Sequence, residues 1–360
     1  MKTRHSSQPR TLCSQLLALA AGTLLAAVPF TVLAAAGDLD TTFDGDGKVS
    51  TTIGTFSSAN GVAIQSDGKI VAVGYTDNGP EYDFAVARYN SNGGLDAGFG
   101  VGGVATTSFS ATGDYAYGVV IQSDGKIVVA GNDTATASPN FAVARYNSDG
   151  SLDTSFSTDG KATIFFGADD YGRAVALQTD GKIVVAGYTD VSGSDDFAVA
   201  RLNSTGSLLD AGFGSGGIVT TAFTGNDDRA YAVLVQPDGK IVAAGYRRDG
   251  ASPDFAVARY NSNGSLDTSF SGDGLAIKTF GANDYAYAAA RQSDGKIVLA
   301  GCTDVSGNSN VALARFNSDG SLDTTFGTSG EVITAVHASN SDCANGVAIQ
   351  SDGKIVVTGY

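Results

Sequence analysis

A fifteen-residue stretch, Gly61–Tyr75 (GVAIQSDGKIVAVGY), recurs along the chain and constrains its fold more than any other feature. Its Asp-Gly-Lys tip falls at Asp67, Asp124, Asp180, Asp238, Asp294 and Asp352, with spacings of 57, 56, 58, 56 and 58 residues. A period of that size belongs to a repeat architecture in which no unit buries its own core. Each tip is flanked by apolar runs, so each copy reads as an antiparallel hairpin. Pro237 ahead of Asp238 suits the first central position of a type I turn, and the glycine then closes a three-residue loop with a bulge. A two-residue primed turn on Asp-Gly is the alternative. The second run, Ile70–Tyr75 in the first copy, is apolar at consecutive positions, the pattern of a strand covered on both faces.

Beyond the hairpin a variable loop leads to a strand that barely changes. It is FAVARYN at Phe84–Asn90, with relatives at Phe141–Asn147, Phe197–Asn203, Phe255–Asn261 and Val311–Asn317. Phe, Val and Arg point one way and the two alanines with Tyr or Leu the other, so small residues let a neighbouring sheet approach. A turn and a Leu-Asp-x-x-Phe motif follow, with aspartates at 40, 96, 153, 210, 267 and 323, and then a glycine-rich fourth strand. Four short antiparallel strands per unit, repeated radially, make a β-propeller. A β-sandwich does not predict the period, and a β-solenoid needs shorter coils. The fold expected is therefore all-β: a β-propeller, six blades of four antiparallel strands, the last blade incomplete. Six hairpins face only five FAVARYN strands, and a strand near Lys48–Ile53 is expected to close the ring against the last blade.

Residues 1–36 read as a signal peptide. Lys2, Arg4 and Arg10 precede the apolar run Leu16–Leu33, and Ala34–Ala36 offers a cleavage site. A membrane anchor is the competing reading. Residues 37–360 then form the propeller, exported to the periplasm, the cell surface or the medium. Cleavage removes three positive charges and no negative ones, so a net charge of −15 becomes −18. Such a surface repels phosphates and anionic lipid, which argues against nucleic acid and against membrane insertion of the mature chain. Glu81 and Glu331 are the only glutamates. The acidity is therefore Asp, which suits solvated turns.

The repeats, carrying Leu-Asp-x-x-Phe-Gly, Gln-Ser-Asp-Gly-Lys-Ile-Val-Val-Ala-Gly and Phe-Ala-Val-Ala-Arg-Tyr-Asn, resemble the delta-60 repeat family over essentially the whole mature chain. The resemblance implies an exported bacterial β-propeller and brings no activity and no catalytic residues. Departures are Val311 for Phe, Leu202 for Tyr, the extra Leu208 and the absent final strand.

Chemistry-bearing residues are few. Arg88, Arg145, Arg201, Arg259 and Arg315 recur mid-strand, one per unit, and either ring an anionic ligand or pair with repeat aspartates such as Asp96 or Asp83. Cys302 and Cys343 fall at the same end of adjacent blades, so a disulfide is reasonable after export, two free thiols being the alternative. Asp169-Asp170, Asp227-Asp228 and Asp44–Gly47 hint at calcium, the one cofactor weighed, although no complete calcium loop is present. His337 has no nucleophile signature beside it, and no phosphate loop or zinc spacing occurs. Strand direction places the hairpin tips at one end of the propeller and the variable loops at the other. That variable end carries Tyr82, Tyr115, Tyr117, Tyr171, Tyr231, Tyr285, Tyr287, Arg247 and Arg248. Tyr115, Tyr171, Tyr285, Arg247 and Arg248 are the candidate ligand-binding residues. Packing between blades is the competing reading for these tyrosines. The function these readings favour is a non-catalytic exported scaffold or binding module for a protein or glycan. The competing reading is a propeller hydrolase or lyase acting through aspartates.

Overall fold

A computed structural model describes residues 38–360 except 78, 80, 135–137, 207–208, 224–225, 251 and 338–340. The leader expected over residues 1–36 and the insertion at Leu208 lie outside the described residues.

Among the described residues, five antiparallel sheets have four strands in simple meander order and a sixth has two. Blade 1 comprises β1 (Ser57–Ile64), β2 (Ile70–Asp77), β3 (Tyr82–Tyr89) and β4 (Val104–Thr107). Blade 2 follows with β5 (Tyr115–Ile121), β6 (Ile127–Asp133), β7 (Asn140–Tyr146) and β8 (Lys161–Ile164). Blade 3 is built from β9 (Asp170–Leu177), β10 (Ile183–Thr189), β11 (Asp196–Leu202) and β12 (Ile218–Thr221). Blade 4 has β13 (Arg229–Val235), β14 (Ile241–Asp249), β15 (Ser252–Tyr260) and β16 (Leu275–Lys278). Blade 5 has β17 (Asp284–Arg291), β18 (Ile297–Thr303), β19 (Asn310–Phe316) and β20 (Glu331–Thr334), and blade 6 has β21 (Ala344–Ile349) and β22 (Ile355–Gly359).

The hairpin tips are three-residue loops. Gly68 N–H donates to Gln65 O and Gln65 N–H to Lys69 O, at 2.9 and 2.8 Å. Gly68 has φ +82°, which only glycine adopts without cost. Asp67 Oδ1 accepts from the Lys69 N–H at 3.1 Å, so the Asp-Gly-Lys signature is a turn device.

Alternation along the third strand explains the stacking. Phe84 and Val86 of blade 1 pack with Ala142, Ala144 and Tyr146 of blade 2. Phe197 and Val199 of blade 3 meet Ala256, Ala258 and Tyr260 of blade 4 in the same way. Large residues on one face and alanines on the next bring the sheets together with both faces dry.

The five repeat arginines are structural. Arg145 Nε donates to Asp153 Oδ2 at 2.8 Å, its guanidinium lies 4.8 Å from the Phe156 ring centroid, and Nη1 crosses to Ser204 O of blade 3 at 2.6 Å. Arg88, Arg201 and Arg259 repeat this set with Asp96, Asp210 and Asp267 and with Ser148, Ser262 and Ser318 of the following blade. Arg315 pairs with Asp323 at 2.8 Å and lies over Phe326. A lysine from the hairpin, such as Lys126 at 2.7 Å from Asp153, completes the cluster.

Residues 43–53 differ from expectation. They form no strand, yet they repeat the contacts of a blade's outer part. Gly47 N–H donates to Phe43 O as Gly103 donates to Phe99 O. Asp44 N–H donates to Asn92 O at 2.7 Å, as Gly100 does to Asp149 O at 2.7 Å. Tyr89 Oη bonds Thr51 Oγ1 at 2.8 Å, just as Tyr146 bonds Thr107 and Tyr260 bonds Thr221. The segment thus stands against blade 1 where the outer strand of a preceding blade stands. Lys48–Ile53 stays irregular because a fourth strand needs a third to pair with, and none lies there among the described residues.

Candidate functional site

The six inner strands, β1, β5, β9, β13, β17 and β21, surround an open central cavity of about 600 Å³. Every inner strand carries a one-residue β-bulge at the same place, marked by register shifts at Ala59/Gly61, Ala116/Gly118, Gly172/Ala174, Ala230/Ala232, Ala286/Ala288 and Ala344/Gly346. The bulged residues are Asn60, Tyr117, Arg173, Tyr231, Tyr287 and Asn345, and all six line the cavity. A bulge turns one side chain out of the alternation, which is how a sheet aims a residue at a site. The cause lies in the flanking residues. Ala or Gly on both sides leaves room for the local bend, and glycines such as Gly131 and Gly187 on the partner strand admit the opposing carbonyl at a distance no Cβ would allow.

The ring is a set of phenols, amides and one cation, without a carboxylate. The Arg173 guanidinium sits 4.2 Å from the Tyr117 ring centroid and 5.8 Å from that of Tyr231, and Nη2 donates to Tyr188 Oη at 2.8 Å. Burial works against its charge, but the surrounding phenols more than offset this and hold its pKa above the ordinary arginine value. Tyr231 meets Tyr287 edge to face at 5.2 Å and stacks on Tyr246 at 5.8 Å. Burial, with neighbouring tyrosines adding to it, pushes the Tyr287 phenol up to about 12, so it stays neutral and able to donate. Asn60 Nδ2 donates to Ala116 O at 2.8 Å.

The residues singled out from sequence lie beside this ring rather than in it. Tyr115, Tyr171 and Tyr285 occupy one register position, two residues before the bulge. Tyr115 packs on Tyr75 of the preceding blade at 5.0 Å, Tyr285 on Tyr246 of the preceding blade at 5.0 Å, and Tyr171 on Tyr188 within its own blade at 4.9 Å. Arg247 is paired with Asp254 at 3.2 Å and Asp249 at 3.3 Å, and Arg248 lies 3.9 Å from Asp227.

The acidic pairs are taken up by different tasks. Asp170 Oδ2 accepts the Phe166 N–H at 2.7 Å and Asp228 Oδ2 the Phe223 N–H at 2.7 Å, as Asp114 and Asp284 do for Phe109 and Phe280. Each buried aspartate thereby ties the end of one blade to the start of the next. The Asp169 N–H donates to Asp190, and Asp227 faces Arg248 and the Asp195 N–H. Among the described residues no three His, Cys, Asp or Glu side chains come together in a metal-holding group. Cys302 and Cys343 are joined as a disulfide, Cα to Cα 4.8 Å, linking β18 of blade 5 to the residue just before β21 of blade 6.

Sequence reading finds Tyr117, Tyr231 and Tyr287 only as members of a tyrosine-rich end and misses Asn60, Arg173 and Asn345. A signal is present: in SANGV, YAYGV, YGRAV, RAYAV, YAYAA and CANGV the middle residue varies between near-constant neighbours. A groove of about 680 Å³ between the hairpin tips of blades 1 and 2 has a smaller counterpart between blades 3 and 4, which marks it as repeat geometry.

Comparison with curated protein sequences finds no match. Among solved structures, a protein of unknown function from Bacteroides caccae is similar with a TM-score of 0.42 and 12% identity, covering 77% of this chain and 86% of that one. A gluconolactonase from Xanthomonas campestris gives 0.43 and 11%, covering 84% and 83%. Sqt1 from Chaetomium thermophilum, bound to the N-terminus of ribosomal protein L10, gives 0.42 and 12%, covering 81% and 78%. Likenesses of this size say nothing about activity. The model of a domain of unknown function, the DUF5122 β-propeller, matches residues 65–99, 122–156, 178–213, 236–270 and 292–326. Each match runs from a hairpin tip through the FAVARYN strand to the Leu-Asp-x-x-Phe motif, and together the five matches support a repeat β-propeller family.

Proposed function

We propose that this is a non-catalytic exported binding module of the delta-60 repeat type, and that it holds a glycan at the central ring. The observation carrying this reading is the convergence of Asn60, Tyr117, Arg173, Tyr231, Tyr287 and Asn345 on one cavity. Phenol faces stack on sugar rings, while amides and a guanidinium serve hydroxyl and carboxylate groups. The ring has no carboxylate, thiol or imidazole, so it offers no residue suited to move a proton near neutral pH. Tyr115, Tyr171 and Tyr285 support the ring from behind, and Arg247 and Arg248 lie in the loops beyond. Titration of the exported chain against neutral and uronic-acid oligosaccharides tests the reading. Binding lost in Tyr117→Ala and Arg173→Ala but kept in Arg247→Ala is the outcome expected. Binding unchanged by the first two substitutions overturns it.

Calcium is the cofactor the acidic loops would accept, and an aspartate-based hydrolase or lyase, with or without that ion, is the competing reading. Asp170 and Asp228 are committed to backbone donors and Asp227 faces an arginine. Millimolar calcium is therefore expected to leave the melting temperature unchanged, and a rise of several degrees would favour the enzyme.

A further inference from the structure

Although the chain carries a net charge of −15, Arg173 is the one charged side chain among the described residues that line the central cavity. The repeat arginines hold their own aspartates, and Arg229, Arg247 and Arg248 face Asp195, Asp254 and Asp227. Arg173 forms no ion pair among the described residues. Its Nη2 donates to Tyr188 Oη at 2.8 Å, its Nε is buried without an acceptor, and no described residue accepts from Nη1.

The rings of Tyr117, Tyr188 and Tyr231, with centroids 4.2, 5.4 and 5.8 Å from the guanidinium, steady its charge. A ring face carries a quadrupole and not a counter-charge, so the half-buried guanidinium still lacks an anion. Arg229 supplies the contrast. It lies 4.8 Å from the centroid of the same Tyr188 ring but is matched by Asp195. Two guanidiniums share one phenol, and the one that the β9 bulge turns into the cavity is the one without a carboxylate.

The surroundings define what can supply the anion. Asp169, Asp190 and Asp195 lie close enough to Tyr171, two residues along β9, to add to burial in raising its pKa. A ligand with several negative charges meets repulsion from these carboxylates, whereas a single carboxylate is neutralised by Arg173. Asn60 spends its Nδ2 on Ala116 O and keeps Oδ1 for a hydroxyl. Asn345, Tyr117, Tyr231 and Tyr287 line the same space with further hydrogen-bonding groups and aromatic faces.

Resting on the reading of the ring as a glycan site, we infer that Arg173 makes it selective for an acidic glycan, a sugar bearing one carboxylate as a uronic acid does. The carboxylate accepts from the guanidinium at Nη1, and the hydroxyls of the sugar fall to the amides and phenols.

The test is titration calorimetry of the full chain near pH 7 with a trisaccharide ending in one glucuronic acid, with its methyl ester, and with a neutral analogue carrying a 6-phosphate. The acid should bind about tenfold more tightly than the ester, since a charge-assisted pair replaces a neutral contact. The phosphate should bind more weakly than the acid. Arg173→Gln should bring the acid down to the level of the ester, and Arg173→Lys should keep part of the preference. The comparison of acid with ester on the parent chain stands whether or not the variants fold. Equal binding of acid and ester, tighter binding of the phosphate, or an acid preference that survives in folded Arg173→Gln overturns the inference and leaves the glycan reading in place. Binding of none of these sugars overturns both.

Discussion

Arg145 and Ser204 lie 59 residues apart in sequence, in different blades, yet Nη1 of the one donates to the carbonyl of the other at 2.6 Å. The same guanidinium is ion-paired to Asp153 and stacked on Phe156. One side chain thus closes the Leu-Asp-x-x-Phe turn of its own blade and fastens that blade to the next. Replacing Arg145 by Ala leaves the buried Asp153 carboxylate with Lys126 as its remaining cation beside the Ser155 donors, and breaking such a buried pair typically costs about 3–5 kcal/mol. Urea unfolding of Arg145→Ala should show this loss. Arg145→Lys should recover only part of it, because an ammonium cannot hold three partners in one plane. A change below about 1 kcal/mol would mean that the cluster is solvated and not structural.

Acid should dismantle these clusters. The Lys69 ammonium, with Arg88 and the Gly98 N–H adding to it, outweighs burial and holds Asp96 down to about 2, and Asp323 is likewise held to about 2, chiefly by the Thr325 hydroxyl. Asp153, Asp210 and Asp267 are also lowered, burial being overcome by their lysine, arginine, hydroxyl and backbone donors. A carboxyl with a folded pKa below the unfolded value stabilises the fold fully above about pH 4, and this is lost as pH falls through about 2. Stability should therefore fall steeply between about pH 4 and pH 2. Asp96→Asn, measured by urea unfolding across that range, should show a shallower slope.

Most of the architecture is legible because it resides in short-range chemistry repeated along the chain. Asp67-Gly68-Lys69 announces its turn, and the alternation in Phe84–Tyr89 announces two buried faces. Arg88 with Asp96 is legible too, since a charge set mid-strand among apolar residues needs a counter-charge, and one aspartate recurs with it in every unit. The ring is hidden for a physical reason. Strict alternation along β9 gives no warning that Arg173 leaves the pleat, because the bulge is created jointly with Gly187 on the neighbouring strand. Lys48–Ile53 departs from its expected strand for a related reason. Its apolar residues describe a strand, but strand geometry depends on a partner that its own sequence does not supply.

Asp114 works in the opposite sense from the arginine clusters. It is fully buried, and burial, only partly offset by the N–H groups of Phe109 and Ser110, raises its pKa to about 6. A carboxyl whose folded pKa exceeds its unfolded value favours folding most below about pH 4, and that contribution fades as pH rises through about 6. Asparagine at 114 keeps an acceptor for the Phe109 N–H and does not titrate. The stability of Asp114→Asn relative to the parent should rise between about pH 4 and pH 7 by up to about 3 kcal/mol, as a shift of about two pKa units requires. A difference independent of pH would show that the carboxyl is hydrated.

The Cys302–Cys343 link joins β18 to the entry of β21 and closes a loop 41 residues long. It bears on blade 6, whose sheet among the described residues consists of β21 and β22. Among the described residues β21 and β22 pair with each other alone, and a lone two-stranded hairpin is marginal in water. Their hold on the molecule is the packing of Ala344, Val347, Ile349, Ile355 and Val357 against blade 5, together with this covalent tie. By loop-closure entropy the bond contributes about 4 kcal/mol, an upper figure for a denatured chain without residual structure. Because blade 6 can detach while blades 1 to 5 keep their own cores, reduction should act locally first. Cys302→Ser with Cys343→Ser should give fast amide exchange over 344–359 while exchange over 127–146 stays slow. If instead both regions lose protection together, the hairpin is an integral part of the cooperative unit, and the sixth blade is as firmly held as the rest.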